Sequence, residues 1–161
     1  MAFPLSILRI LIQAVRTLKE KKQLLVNPLY GLSRLIISRL PKVGIVAVLG
    51  LRCESSTTKI EGLSLAKNLL TGGYPVIVYD PKPQVVEEAR KVLGGPVEFE
   101  PSIEKCVKES NIIVVTTAQD EFKNTLLKVL AQETQPRILV DCHCLLDSKH
   151  LGKNVRYIRW R

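Results

Sequence analysis

Aromatic residues are scarce in this 161-residue chain, at 5% with a single tryptophan. That scarcity argues against a single-stranded nucleic-acid surface, in which stacking aromatics alternate with basic side chains. The chain still carries 24 Lys+Arg against 15 Asp+Glu, a formal charge of +9. Such an excess favours anionic partners in a general way. It forms no basic stripe, the nearest approach being the first 42 residues, and no nucleic-acid partner is predicted.

Cysteine and histidine are also sparse. Cys53, Cys106, Cys142 and Cys144 are too few and too irregularly spaced for a disulfide framework, and they fit a reducing, cytoplasmic setting. Cys142, His143 and Cys144 have neither a second ligand pair nor a fourth ligand, so no metal is predicted. They also end a strand-like run, "RILVDCHC", where neighbours alternate between faces. His143 beside Asp141 could activate a thiol. Nothing in the sequence supplies an oxyanion arrangement or a nucleophile elbow, and a self-contained catalytic site is not expected.

Long hydrophobic runs are missing as well. The most apolar stretch, "MAFPLSILRILIQAVRTLKEKK", is interrupted by Arg9 and falls short of the roughly 20 residues that span a bilayer. No basic region precedes it and no small-residue cleavage site follows. Leu8, Leu11, Ile12, Val15 and Leu18 recur at helical spacing, with Arg9, Arg16 and Lys19 on other faces. Residues 1–40 therefore read as an amphipathic helical segment, broken near Pro28 and Gly31. It is expected to pack on protein, as a homo-oligomer or partner-subunit interface, and not to span a membrane.

From residue 43 onward the pattern is regular. Apolar, β-branched runs occur at Val43 to Leu51, Pro75 to Asp80, Asn111 to Ala118 and in "RILVDC", with shorter strands in "VEFEP" and "VRYIRW". Helical stretches separate them at Ile60 to Gly73, Pro83 to Gly95, "IEKCVKES" and "QDEFKNTLLKVLAQE". Ser102 is placed as an N-cap, and Asp120 and Glu121 suit a first turn. Strands alternating with helices mean βαβ units around a parallel sheet, and continuous apolar strands mean that both faces are covered. Residues 43–161 are thus predicted to form a three-layer, Rossmann-like α/β domain with a parallel sheet, preceded by the N-terminal helices.

In such a sheet, ligands bind beyond the carboxyl ends of the strands. The first strand end, "VAVLGLRCESS", lacks the three glycines of a dinucleotide fingerprint and supplies only Gly50. Asp80 lies 30 residues after Gly50, beyond the roughly 20 expected for a ribose-binding acid. No dinucleotide is expected to bind in the standard mode, and Asp80-Pro81 reads as a strand-ending turn that caps the next helix. Arg52, Ser55, Ser56, Thr57 and Thr58 form either a phosphate cradle or a polar, N-capped loop flanked by Glu54 and Glu61. Both readings stay open.

The order of segments resembles the C-terminal domain of the UDP-glucose/GDP-mannose dehydrogenase family. "VLGL", "VYDP", Thr117 with Phe122, "VDCHC" and the closing "VRYIRW" carry the likeness over about residues 43–161. Residues 1–40 are similar to the end of the family's central helix, which makes the dimer contact. The resemblance implies NAD-dependent oxidation of nucleotide sugars in full-length enzymes, through an NAD domain and a catalytic cysteine that precede this region. It therefore implies no catalytic residue and no cofactor in this chain, with NAD only through a separate subunit. It also implies a UDP- or GDP-sugar as ligand of the family's site. The candidate ligand-binding residues here, for that or another anionic small molecule, are Gly50, Arg52, Ser55, Ser56, Thr57, Thr117, Asp141 and His143, although Arg52 is not at a matching family position. The family's cationic positions fall here on Glu54, Glu61 and His143, and its phenylalanine on Cys53. Two lost cations replaced by acids imply that sugar-nucleotide binding is weakened or lost. Pairing with a separate NAD-domain polypeptide is one alternative, and a binding module for another anionic ligand, using Arg52, the Ser/Thr loop, Thr116, Thr117 and His143, is another.

Overall fold

A computed structural model describes residues 44–51, 62–94 and 96–160. The expected helical segment at 1–40 lies outside the described residues. So does most of the first strand-end loop, including Arg52, Ser55, Ser56 and Thr57.

Six strands form one sheet: β1 (Val46–Leu49), β2 (Val76–Tyr79), β3 (Val97–Phe99), β4 (Ile112–Val115), β5 (Arg137–Asp141) and β6 (Val155–Arg159). Their spatial order is β3-β2-β1-β4-β5-β6, and every neighbouring pair is parallel. The connecting helices are α1 (Gly62–Thr71), α2 (Pro83–Val92), α3 (Ile103–Glu109) and α4 (Asp120–Ala131), with a short 3-10 turn at Ser148–His150. This is the three-layer Rossmann-like arrangement that the alternating pattern predicts.

The pleat explains why the strands are apolar on both sides. Val46 and Val48 face the layer that holds Leu65, Ala66 and Leu69 of α1 and Ala89 of α2. Ala47 and Leu49 face Ile103, Cys106 and Val107 of α3 and Phe122, Leu126 and Leu130 of α4. Among the described residues, two helices therefore cover each face. A Leu65→Ala or Phe122→Ala substitution, at fully buried positions, would cost about 2–5 kcal/mol.

Local signals set the helix boundaries. The Ser102 hydroxyl accepts from Lys105 N at 3.2 Å, as an N-cap, and Pro83 occupies the first turn of α2. That helix ends at Val92, because Leu93 turns to extended backbone, before the Gly94-Gly95 pair expected to stop it. The strands are shorter than their apolar runs, since residues beyond each end enter turns that still need burial. None of the helices among the described residues is long and apolar enough to cross a membrane.

Candidate functional site

The strand order reverses direction between β1 and β4, the place at whose carboxyl ends ligands bind in sheets of this kind. Gly50 leaves β1 with φ +87°, a conformation favoured by glycine. Its amide donates to Tyr79 O at 2.8 Å. A Cβ on Gly50 would overlap the Thr117 side chain, so Gly50 and Thr117 pack in direct apposition.

Gly62, the first residue of α1, completes this close approach. A Cβ there would collide with the Gly50 carbonyl oxygen and come within 2.7 Å of Thr116 Oγ1. The helix is pinned at this point, with Leu63 N donating to Leu51 O at 3.0 Å. Gly50 and Gly62 thus do the turn-making and helix-seating work of a dinucleotide fingerprint, with a longer loop between them. Gly62 was not singled out in the sequence, because a glycine that opens a helix looks like an ordinary weak position.

Thr116 and Thr117 are both buried. The Thr116 hydroxyl donates to the Leu49 and Gly50 carbonyl oxygens, which locks β4 to the end of β1. His143 comes from the turn after β5, with Nε2 2.8 Å from Thr116 O. A carbonyl oxygen only accepts, so Nε2 carries the proton in this contact. Gly50, Thr117 and His143 are thereby gathered around one strand-end cluster that has Thr116 at its centre.

Asp141 is also there, but it is fully buried. Its Oδ1 accepts from His143 N at 3.0 Å, and its Oδ2 accepts from Leu146 N at 2.9 Å and Tyr157 Oη at 2.8 Å. The carboxylate shapes the 141–146 turn and ties it to β6. Burial, then the Asp141 carboxylate, hold the Tyr157 phenol above its ordinary range. Cys144 in the same turn has φ +54°.

Asp80 has a comparable internal role at the end of β2. It is 7% exposed, and it accepts from Leu51 N at 2.8 Å and Lys82 N at 2.9 Å. It therefore fastens the start of the β1–α1 loop as well as its own turn. The first turn of α2 receives no side-chain cap from Lys82, its N-cap residue. Beside it, the Tyr79 hydroxyl donates to Glu121 Oε1 at 2.5 Å. Burial first, and Glu121 next, push that phenol up.

The buried cysteines are thiols. Burial, reinforced by the Glu100 and Glu109 carboxylates, pushes Cys106 up to about 12. Burial also raises Cys142, with Asp141 adding to the effect. Neither is an activated nucleophile.

The parallel sheet, its strand order and its covering helices define a Rossmann-type α/β domain. The sequence model of the UDP-glucose/GDP-mannose dehydrogenase family, UDP binding domain, matches residues 55–148. The chain belongs to that family. Among solved structures, it is 23% identical to a UDP-glucose dehydrogenase from the hyperthermophilic archaeon Pyrobaculum islandicum (TM-score 0.52), over 71% of this chain and 24% of that one. It is 20% identical to an imine reductase variant from Myxococcus stipitatus in complex with NAD+ (TM-score 0.52), over 72% and 40%. It is 15% identical to Rhodotorula graminis D-mandelate dehydrogenase (TM-score 0.53), over 88% and 40%. At these identities the likeness is one of fold, and the chain spans between a quarter and two fifths of those structures. A comparison with curated proteins returned no match.

Proposed function

We propose that this domain is a non-catalytic member of its family, in which the UDP-binding scaffold is kept and sugar-nucleotide binding is weakened or lost. The observation that carries this reading is the cluster at the carboxyl ends of β4 and β5. Asp141 is enclosed by Leu146, Tyr157 and the His143 backbone, and His143 Nε2 is committed to Thr116 O. The cluster thus turns its polar groups inward and places an imidazole where the resemblance implies an arginine. A diphosphate is held best by cationic, bidentate donors, and an imidazole already bonded to a carbonyl is a poor substitute.

Asp80 supports the same reading for NAD. The carboxylate best placed to hold a ribose is buried and accepts from Leu51 N and Lys82 N. With Cys106 and Cys142 buried as thiols, neither supplies an activated nucleophile for an oxidation at this site. A second reading is the nucleotide-side subunit of a split NAD-dependent dehydrogenase, for which the match of residues 55–148 to the UDP binding domain of that family speaks.

Thermal unfolding and calorimetry with UDP, UDP-glucose, GDP-mannose and NAD test both readings. A ligand at 100 times its Kd stabilises the fold by about 2.7 kcal/mol, a readily measured shift. Micromolar binding of a UDP- or GDP-sugar to the chain alone would overturn the first reading. Binding that emerges only after addition of an NAD-domain polypeptide would establish the second.

A further inference from the structure

Three carboxylates meet at the outer edge of the sheet beside β3. The alternation of this strand sends Val97 and Phe99 toward the α1–α2 layer, which puts Glu98 and then Glu100 on the other side. Glu109, in the last turn of α3, completes the group, and one oxygen from each residue lies within 4.8 Å of those of the others. Lys105, one turn earlier on α3, reaches Glu100 Oε1 at 2.8 Å and Glu109 Oε1 at 3.9 Å. One ammonium thus faces three negative charges.

Surface acids often gather without purpose, but Glu100 is different. Its side chain is 8% exposed, and its Oε2 is buried with no hydrogen-bond partner among the described residues. A carboxylate oxygen closed off from water without a donor is costly. Two oxygens bound to one calcium ion at about 2.4 Å cannot be more than about 4.8 Å apart, a limit that the three carboxylates meet. Magnesium dehydrates reluctantly and is usually held through only one or two carboxylates, so a set of three favours calcium.

We propose that Glu98, Glu100 and Glu109 bind a hard divalent cation of calcium's size. Glu100, whose Oε2 is otherwise without a donor among the described residues, is the inner ligand, and the exposed Glu98 and Glu109 close on the ion from the solvent side. Lys105 stays on Glu100 Oε1 and offsets part of the remaining charge. The site is separated from the Thr116 and His143 cluster by β2 and β1 in the sheet order, and the proposal is independent of nucleotide binding.

Calcium chloride titrated into the full chain is expected to give one saturable site by calorimetry and a rise in Tm, with a smaller effect from magnesium chloride. Glu98→Gln and Glu109→Gln alter exposed positions, leave folding intact, and are each expected to weaken binding by at least about tenfold, the loss seen when even an outer partner of a metal site is removed. Glu100→Gln is expected to abolish it. No saturable binding up to about 10 mM calcium, well above the Kd range of weak protein sites, would overturn the proposal. So would undiminished binding by the Glu98 and Glu109 variants.

Discussion

Tyr157, on the edge strand β6, places its hydroxyl 2.8 Å from Oδ2 of Asp141 at the end of β5 and 2.9 Å from Leu146 O. The pair closes the 141–146 turn against the sheet, and His143 is held at the mouth of that turn through the other Asp141 oxygen. Tyr157→Phe leaves Oδ2 with the Leu146 amide as its remaining donor, and is expected to destabilise the domain by about 1–3 kcal/mol. Urea unfolding of the variant measures this as a lower midpoint at unchanged slope.

Alkaline titration follows from the raised phenols and thiols. Tyr79 and Tyr157 have folded pKa values above the ordinary 10.0, and Cys106 lies above its ordinary 9.0, at about 12. Above those ordinary values the unfolded chain has lost protons that the folded chain keeps, so stability falls as pH rises. The contribution is whole below about pH 9 and declines through the range above it. Urea midpoints are expected to drop between about pH 9 and 11, and a Tyr79→Phe, Cys106→Ala double variant is expected to flatten that drop.

Gly50→Ala and Gly62→Ala are expected to destabilise strongly for different reasons. At Gly50 the positive φ and the Thr117 side chain both oppose a Cβ, a cost of about 3 kcal/mol. Replacing Thr117 by Ala in the Gly50→Ala background should restore part of the loss, as a double-mutant cycle would measure. At Gly62 the obstacle is the Gly50 carbonyl oxygen, and Thr117→Ala should bring no relief.

His143→Arg exchanges an imidazole for a fixed cation at the strand-end cluster. If loss of positive charge is what weakens nucleotide binding, the substitution should tighten UDP by about tenfold, the equivalent of about 1.4 kcal/mol for a charge-assisted bond. Calorimetry with UDP, run beside uridine as a control without phosphate, reads the change. An equal gain for uridine would exclude a phosphate contact.

The layered fold was legible because its signals are local. "VIVY" and "IIVV" are apolar on every residue, which occurs in a strand with both faces covered. Ser102 is followed by a helical run and caps it. The site was legible only in outline. Gly50, Thr117, Asp141 and His143 fall at strand ends, as the topology rule requires. Their partners do not follow from spacing: Asp80 fastens Leu51 across 29 residues, and Asp141 meets Tyr157 across 16. Such contacts exist only once the strands are side by side. A carboxylate that recognises a ligand and one that ties its own backbone look alike in a sequence, and burial separates them.

The position of β1 at the centre of the sheet also governs when this domain can form. Ile45 N donates to the Asn111 side chain across 66 residues, and β1 gains its second neighbour only when β4 arrives. Trp160, just after β6, packs in the same cluster as Val46. A nascent chain leaving the ribosome would have almost the whole domain synthesised before this core could close, so folding is expected to be slow. The single tryptophan is a built-in clock for that event, since its fluorescence should shift only when the two ends of the domain meet.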